Sequence, residues 1–118
     1  MIKNKIGGDQ MDEASRVKIQ VAQDPRNLTD LEQKHVPQIL LADNFVRIKI
    51  GQISHPMEEE HYIVWVEFYA DNELAGQRDF QPGDFPEAQF NKPDSGASKL
   101  KAVINCNLHG RWQNEISI

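Results

Sequence analysis

Apolar and polar positions alternate along much of the chain, and the alternation predicts strands. Val46, Ile48 and Ile50 are separated by Arg47 and Lys49, the period of two that marks a half-buried strand, and Gly51 ends it. Residues 61–69, HYIVWVEFY, are β-branched or aromatic almost throughout. They predict a strand buried on both faces and central in its sheet. Asp71-Asn72 turns the chain, and residues 73–80 return as a hairpin partner. Pro82-Gly83-Asp84 marks another turn. Residues 85–90 form at best a short edge strand, because Pro86 cannot donate to a ladder. Residues 91–98 read as loop, and Leu100, Ala102 and Ile104 alternate in a further strand. A short strand near Ile116 and Ile118 closes the chain.

Upstream, Val17, Ile19 and Val21 alternate with Lys18 and Gln20, which predicts one short strand before the loop at Asp24-Pro25 and Asn27. No segment keeps a helical period for three turns. Residues 28–34 offer a single turn, with Thr29 or Asp30 as its cap. Short strands at near-regular spacing predict an all-β, antiparallel sandwich or barrel. Residues 1–34, polar and weakly patterned, read as an N-terminal arm without cysteines, and 35–118 as the domain itself.

A chain of 118 residues suits one domain with a modest core. Its formal net charge of −5 argues against a nucleic-acid binder, whose footprint would be basic. No stretch approaches the roughly 18 consecutive apolar residues of a membrane span. No apolar core follows Lys3 and Lys5 as a secretory signal would require. With Cys106 as its single cysteine the chain holds no internal disulfide, and a reducing, cytoplasmic setting is expected.

Histidine is scarce, and its placement changes the picture. His35 sits in KHVP, His55 directly precedes Pro56, His61 opens the predicted central strand, and His109 precedes Gly110 three residues after Cys106. Loop ends on a rigid scaffold are where side chains are aimed into a site. A single histidine there is more often a surface or satisfied core residue than a ligand, and a lone cysteine is a buried hydrophobe, a nucleophile or a ligand. The shared placement of all five favours a metal. Zinc prefers four donors. A blue-copper site needs a weak axial methionine, and RWQNEISI after His109 contains none. Four imidazoles and one thiolate make a square pyramid with one open position, which suits a redox iron.

Together KHVP, SHPMEEEHYIVWVE, the QPGD turn and CNLHG resemble the superoxide reductases, a family that includes the neelaredoxins and the iron-reducing domain of the desulfoferrodoxins. The resemblance spans roughly residues 34–112. It implies an immunoglobulin-like antiparallel β-sandwich of about seven strands with a shallow site for one mononuclear, non-haem iron. His35, His55, His61 and His109 would be equatorial ligands and Cys106 the axial one. His109 would bind through Nδ1 and the other three through Nε2, with backbone N–H groups of Leu108 and His109 donating to the sulfur. It further implies one-electron reduction of superoxide to hydrogen peroxide, re-reduction by a rubredoxin-like or other one-electron donor, and assembly as a homo-oligomer, a tetramer or a dimer. The single cysteine leaves no ligands for the second, four-cysteine iron of the desulfoferrodoxins, so the one-iron type is expected.

Lys34 matches the family's lysine beside the open position, where it would steer the anion and order a proton-donating water. The glutamate that commonly precedes this lysine and binds oxidised iron is replaced by Gln33, with Glu32 one residue earlier. Either Glu32 substitutes or the oxidised site keeps water or hydroxide, the outcome expected here. Glu58, Glu59 and Glu60 read as a solvated loop, and Trp65 and Trp112 as packing. A non-catalytic iron protein for electron transfer, with the same ligands and a blocked sixth position, is the competing reading. A sandwich module with incidental histidines is a second, which a metal assay would separate.

Overall fold

The computed structural model describes residues 19–94 and 96–118. Its elements run α1 (Asp30–His35), β1 (Pro37–Leu41), β2 (Phe45–Ile50), β3 (Ile63–Ala70), β4 (Glu73–Asp79), β5 (Glu87–Asn91), β6 (Lys99–Cys106) and β7 (Gly110–Ser117). The seven strands form two antiparallel sheets, ordered β1-β2-β5 and β4-β3-β6-β7. The alternation predicted an antiparallel sandwich or barrel, and the family resemblance a sandwich of about seven strands; the sandwich is what forms.

The alternating residues meet in the space between the sheets. Val46, Ile48 and Ile50 of β2 are buried, as are Ile63, Val66 and Phe68 of β3 and Leu100, Ala102 and Ile104 of β6. Phe68 and Phe90 stack across the two sheets with ring centroids 5.3 Å apart. Gly76 of β4 lets this pair approach: a Cβ there would stand 2.5 Å from the Phe90 ring.

Three sequence expectations need correction. The central strand begins at Ile63, because Glu58 and His61 pair backbone to backbone in both directions at 3.0 Å and hold the chain in a tight turn until then. β3 is central, between β4 and β6, but it is not buried on both faces. Trp65, Glu67 and Tyr69 are only half-buried, since one face of the four-stranded sheet looks away from the sandwich. The closing strand is eight residues long and ends at Ser117. Its register against β6 sets Gly110 opposite Cys106, so the turn between them starts the strand at once. β5 is an edge strand beginning just after Pro86. Of the short strand foreseen upstream, Val17 lies outside the described residues and Gln20 forms a parallel bridge to Trp112.

α1 is the single turn foreseen at 28–34, observed at Asp30–His35. Thr29 caps it: the Thr29 hydroxyl accepts the Glu32 N–H at 3.1 Å, and the Glu32 carboxylate accepts the Thr29 N–H at 2.9 Å. This reciprocal pair satisfies two amides that the helix start would leave without partners. No described helix is long and apolar enough to cross a membrane.

Candidate metal centre

All five candidate residues lie at one end of the sandwich, each delivered by a different stop in the backbone. His35 is the last residue of α1, and Val36 leaves the helix in extended conformation. His55 lies in the β2–β3 connection. Gly51 opens that connection at φ +85, and a Cβ there would stand 2.6 Å from the Lys34 carbonyl. Only glycine lets this loop pass so close to α1. His61 closes the Glu58–His61 turn, Cys106 ends β6, and His109 sits in the turn before β7.

Four imidazoles stand at the corners of a near-square. Centroids of neighbouring rings are 4.7 Å apart for His35–His55, 4.7 Å for His55–His61, 5.1 Å for His61–His109 and 4.9 Å for His35–His109. Neighbours meet nearly edge-on to face, at 73–82°, while His35 and His61 face one another across 6.4 Å. Cys106 is buried, with its Sγ 3.5 Å from His55 Nε2 and 3.8 Å from His109 Nδ1. One donor atom from each of His35, His55, His61 and Cys106 falls within 4.8 Å of all the others. Metal–nitrogen bonds of about 2.1 Å place opposite donors roughly 4.2 Å apart, so a single ion is the right size for this gap.

The hydrogen bonds assign the ring atoms. His35 Nδ1 bonds the Leu31 carbonyl at 2.7 Å, and His55 Nδ1 bonds the Pro56 carbonyl at 2.6 Å. A carbonyl only accepts, so each Nδ1 carries the proton and each Nε2 of the neutral ring is a bare lone pair. Those two Nε2 atoms are 3.1 Å apart. Two lone pairs so close repel unless a cation lies between them. His61 Nε2 is buried without a hydrogen-bond partner, a costly arrangement that a metal would relieve.

Burial keeps the rings neutral. It is the main cause that lowers the pKa of His35, His55 and His61 below the ordinary 6.5, and His55 falls to about 4. The other imidazoles add to the effect at each ring, and the Lys34 charge lowers His35 and His61 further. Neutral imidazole is the form that binds metal. Lys34 itself is exposed. Glu32 and Gln33 are both occupied elsewhere. The Glu32 carboxylate accepts the Thr29 and Gln23 N–H groups, and the Gln33 amide donates to the Leu28 carbonyl at 3.2 Å. Trp112 stacks on His35 at 5.2 Å and 24°, so its packing acts directly on the cluster.

One residue escaped the sequence reading. Asn107 accepts the Tyr62 N–H at 2.9 Å and donates to the Glu60 carbonyl at 3.0 Å, and its own N–H donates to the Tyr62 carbonyl at 3.2 Å. It therefore grips the chain on both sides of His61 from the turn that carries Cys106 and His109. Its place directly after Cys106 was the available signal.

The chain is 42% identical over 80 residues to a desulfoferrodoxin homolog of Methanothermobacter thermautotrophicus, covering 68% of this chain and 62% of that relative's length. It is 34% identical over 101 residues to a superoxide reductase of Pyrococcus horikoshii, covering 73% of this chain and 88% of the relative. The structure of a one-iron superoxide reductase from Giardia intestinalis superposes with a TM-score of 0.68 at 35% identity, covering 73% of this chain and 99% of that one. Membership and the histidine–cysteine cluster together point to iron. The desulfoferrodoxin family model matches residues 27–115, and the chain belongs to that family.

Proposed function

We propose that the chain is a superoxide reductase with one mononuclear iron, which His35, His55, His61, His109 and Cys106 would hold. The observation that carries this reading is the convergence of bare imidazole nitrogens beside a buried sulfur. Five nitrogen and sulfur donors exceed the four that zinc prefers, and imidazole with thiolate suits iron. The reaction is superoxide plus one electron plus two protons, giving hydrogen peroxide. The bound iron would supply that electron and recover it from an external donor, a rubredoxin-like protein by family resemblance.

The protein's own residues prepare the site for an anion. The carbonyls of Leu31 and Pro56 fix the tautomers of His35 and His55 and aim their Nε2 atoms inward. Cys106 is shielded from solvent, whereas His109 lies at the surface, so substrate and protons arrive from water without a buried acid. Lys34 sets a positive charge beside His35 and His61 on a chain of net charge −5, which gives superoxide a local attraction. Glu32, committed to the helix cap, would not serve as a ligand of the oxidised metal.

The same reading takes residues 35–118 as the iron-binding domain and 1–34 as an arm, and places the protein in a reducing cytoplasm, consistent with its one unpaired thiol. Assembly as a tetramer or dimer rests on family resemblance. A metal assay with a visible spectrum tests the whole. One iron per chain is expected, with a thiolate-to-iron absorption band in the oxidised protein that disappears in Cys106→Ser. A wild-type protein lacking iron or that band would overturn the proposal.

A further inference from the structure

Residues 19–21 add a short edge beside β7. The Gln20 N–H donates to the Arg111 carbonyl at 2.9 Å, and the Gln113 N–H donates to the Gln20 carbonyl at 2.9 Å. This parallel bridge, centred on Trp112, dictates where the Gln20 side chain reaches. Its Nε2 donates to the His109 carbonyl at 2.7 Å and, more weakly, to the Arg111 carbonyl at 3.3 Å. Trp112 Nε1 donates to the same His109 carbonyl at 3.1 Å. Both lone pairs of that oxygen are therefore engaged. Gly110, at φ +81, brings the turn within reach: a Cβ there would sit 3.4 Å from Gln20 Nε2.

His109 needs this support more than its neighbours do. His35 and His55 are each oriented by an Nδ1 bond to a carbonyl, and His61 is bracketed by its turn and by Asn107. The Nδ1 of His109 faces the Cys106 sulfur, so it is not free to anchor the ring to the backbone. The ring is also exposed. What holds its direction is the peptide that follows it.

We propose that Gln20 is a positioning residue of the metal centre: its amide locks the His109–Gly110 peptide and so aims the His109 imidazole beside Cys106. The inference rests on the metal-centre reading above and extends the working site into the N-terminal arm. Partners that orient a ligand are typically worth 10–100-fold in metal affinity.

The test is a cobalt(II) titration of the full, metal-free chain followed by its visible spectrum. Gln20→Glu keeps the shape but turns an acceptor toward the carbonyl, and Gln20→Ala removes the donor. Each is made alone and together with His109→Ala. The expected result is about tenfold weaker cobalt binding for Gln20→Glu, a smaller loss for Gln20→Ala, and a shifted cobalt band in both. In the His109→Ala background neither change should weaken binding further, because the effect passes through that ring. Wild-type affinity and spectrum in both variants would overturn the proposal, and so would equal losses in the two backgrounds. A wild-type chain that takes up no cobalt would instead remove the metal centre itself, and this inference with it.

Discussion

At the scale of single residues, charge and tautomer decide how the site works. Lys34 is exposed, yet its charge is felt by His35 and His61. Lys34→Ala should slow the bimolecular reaction with superoxide by roughly tenfold, the low end of electrostatic steering. It should also flatten the dependence of that rate on salt. Pulse radiolysis measures both, and an unchanged rate with an unchanged salt slope would remove Lys34 from the mechanism. Asn107→Ala should weaken metal binding by about tenfold or more, because it frees the chain on both sides of His61. Competition with a chelator would show it, and wild-type affinity would refute the role. The five candidate positions were legible in the sequence because histidine and cysteine are few and each stands by a turn signal. Asn107 was less legible, since an asparagine in a turn has many uses and its partners at 60 and 62 are distant in sequence.

At the scale of elements, α1 does two jobs in six residues. It ends in His35, and its cap consumes the one carboxylate that was a candidate to reach the metal. Thr29→Ala should cost about 1 kcal/mol of stability, as loss of an N-cap does, and denaturant unfolding of the metal-free protein would measure it. Glu32 adds a pH dependence. The Thr29 and Gln23 N–H groups hold its carboxyl below the ordinary 4.5, against an opposing push from burial. A lowered folded pKa means the contribution is complete above about 4.5 and fades as the pH drops through the folded value. The stability gap between wild type and Glu32→Gln should accordingly be constant near neutrality and shrink in that acid range. A gap that widens on acidification would contradict the cap. The sequence offered Thr29 or Asp30 as the cap; the reciprocal Thr29–Glu32 pair is seen only in the fold. The sequence alone offered Glu32 only as a possible metal ligand, because its partners at Gln23 and Thr29 are set by the fold.

At the scale of the whole molecule, the site is only as rigid as the sandwich beneath it. Phe68 is fully buried and stacks on Phe90 from the opposite sheet. Phe68→Ala should cost about 4 kcal/mol, the usual loss for emptying an aromatic from a core, and denaturant titration of the metal-free chain would test this. Most of the strands, the edge position of β5 and the turn at Asp71-Asn72 were legible because period-two alternation, proline and left-handed turn residues are local signals, whereas β1 at Pro37–Leu41 carries no such alternation. The start of β3 and the length of β7 were not, because each depends on pairing with a distant partner: the turn at 58–61 and the Gly110–Cys106 register.

By itself the sequence determined the all-β class, the inventory of candidate donors and the absence of a carboxylate just before Lys34, all consequences of residue type and short-range spacing. Tertiary structure alone decided that four rings from three separate segments, the end of α1, the β2–β3 connection and the turn before β7, stand in a square beside one sulfur. It also decided that Glu32 is spent on a cap and that Gln20, 89 residues from His109, reaches that residue's carbonyl. Such facts rest on pairing and packing between segments far apart in the chain, and only the folded sandwich brings those segments together.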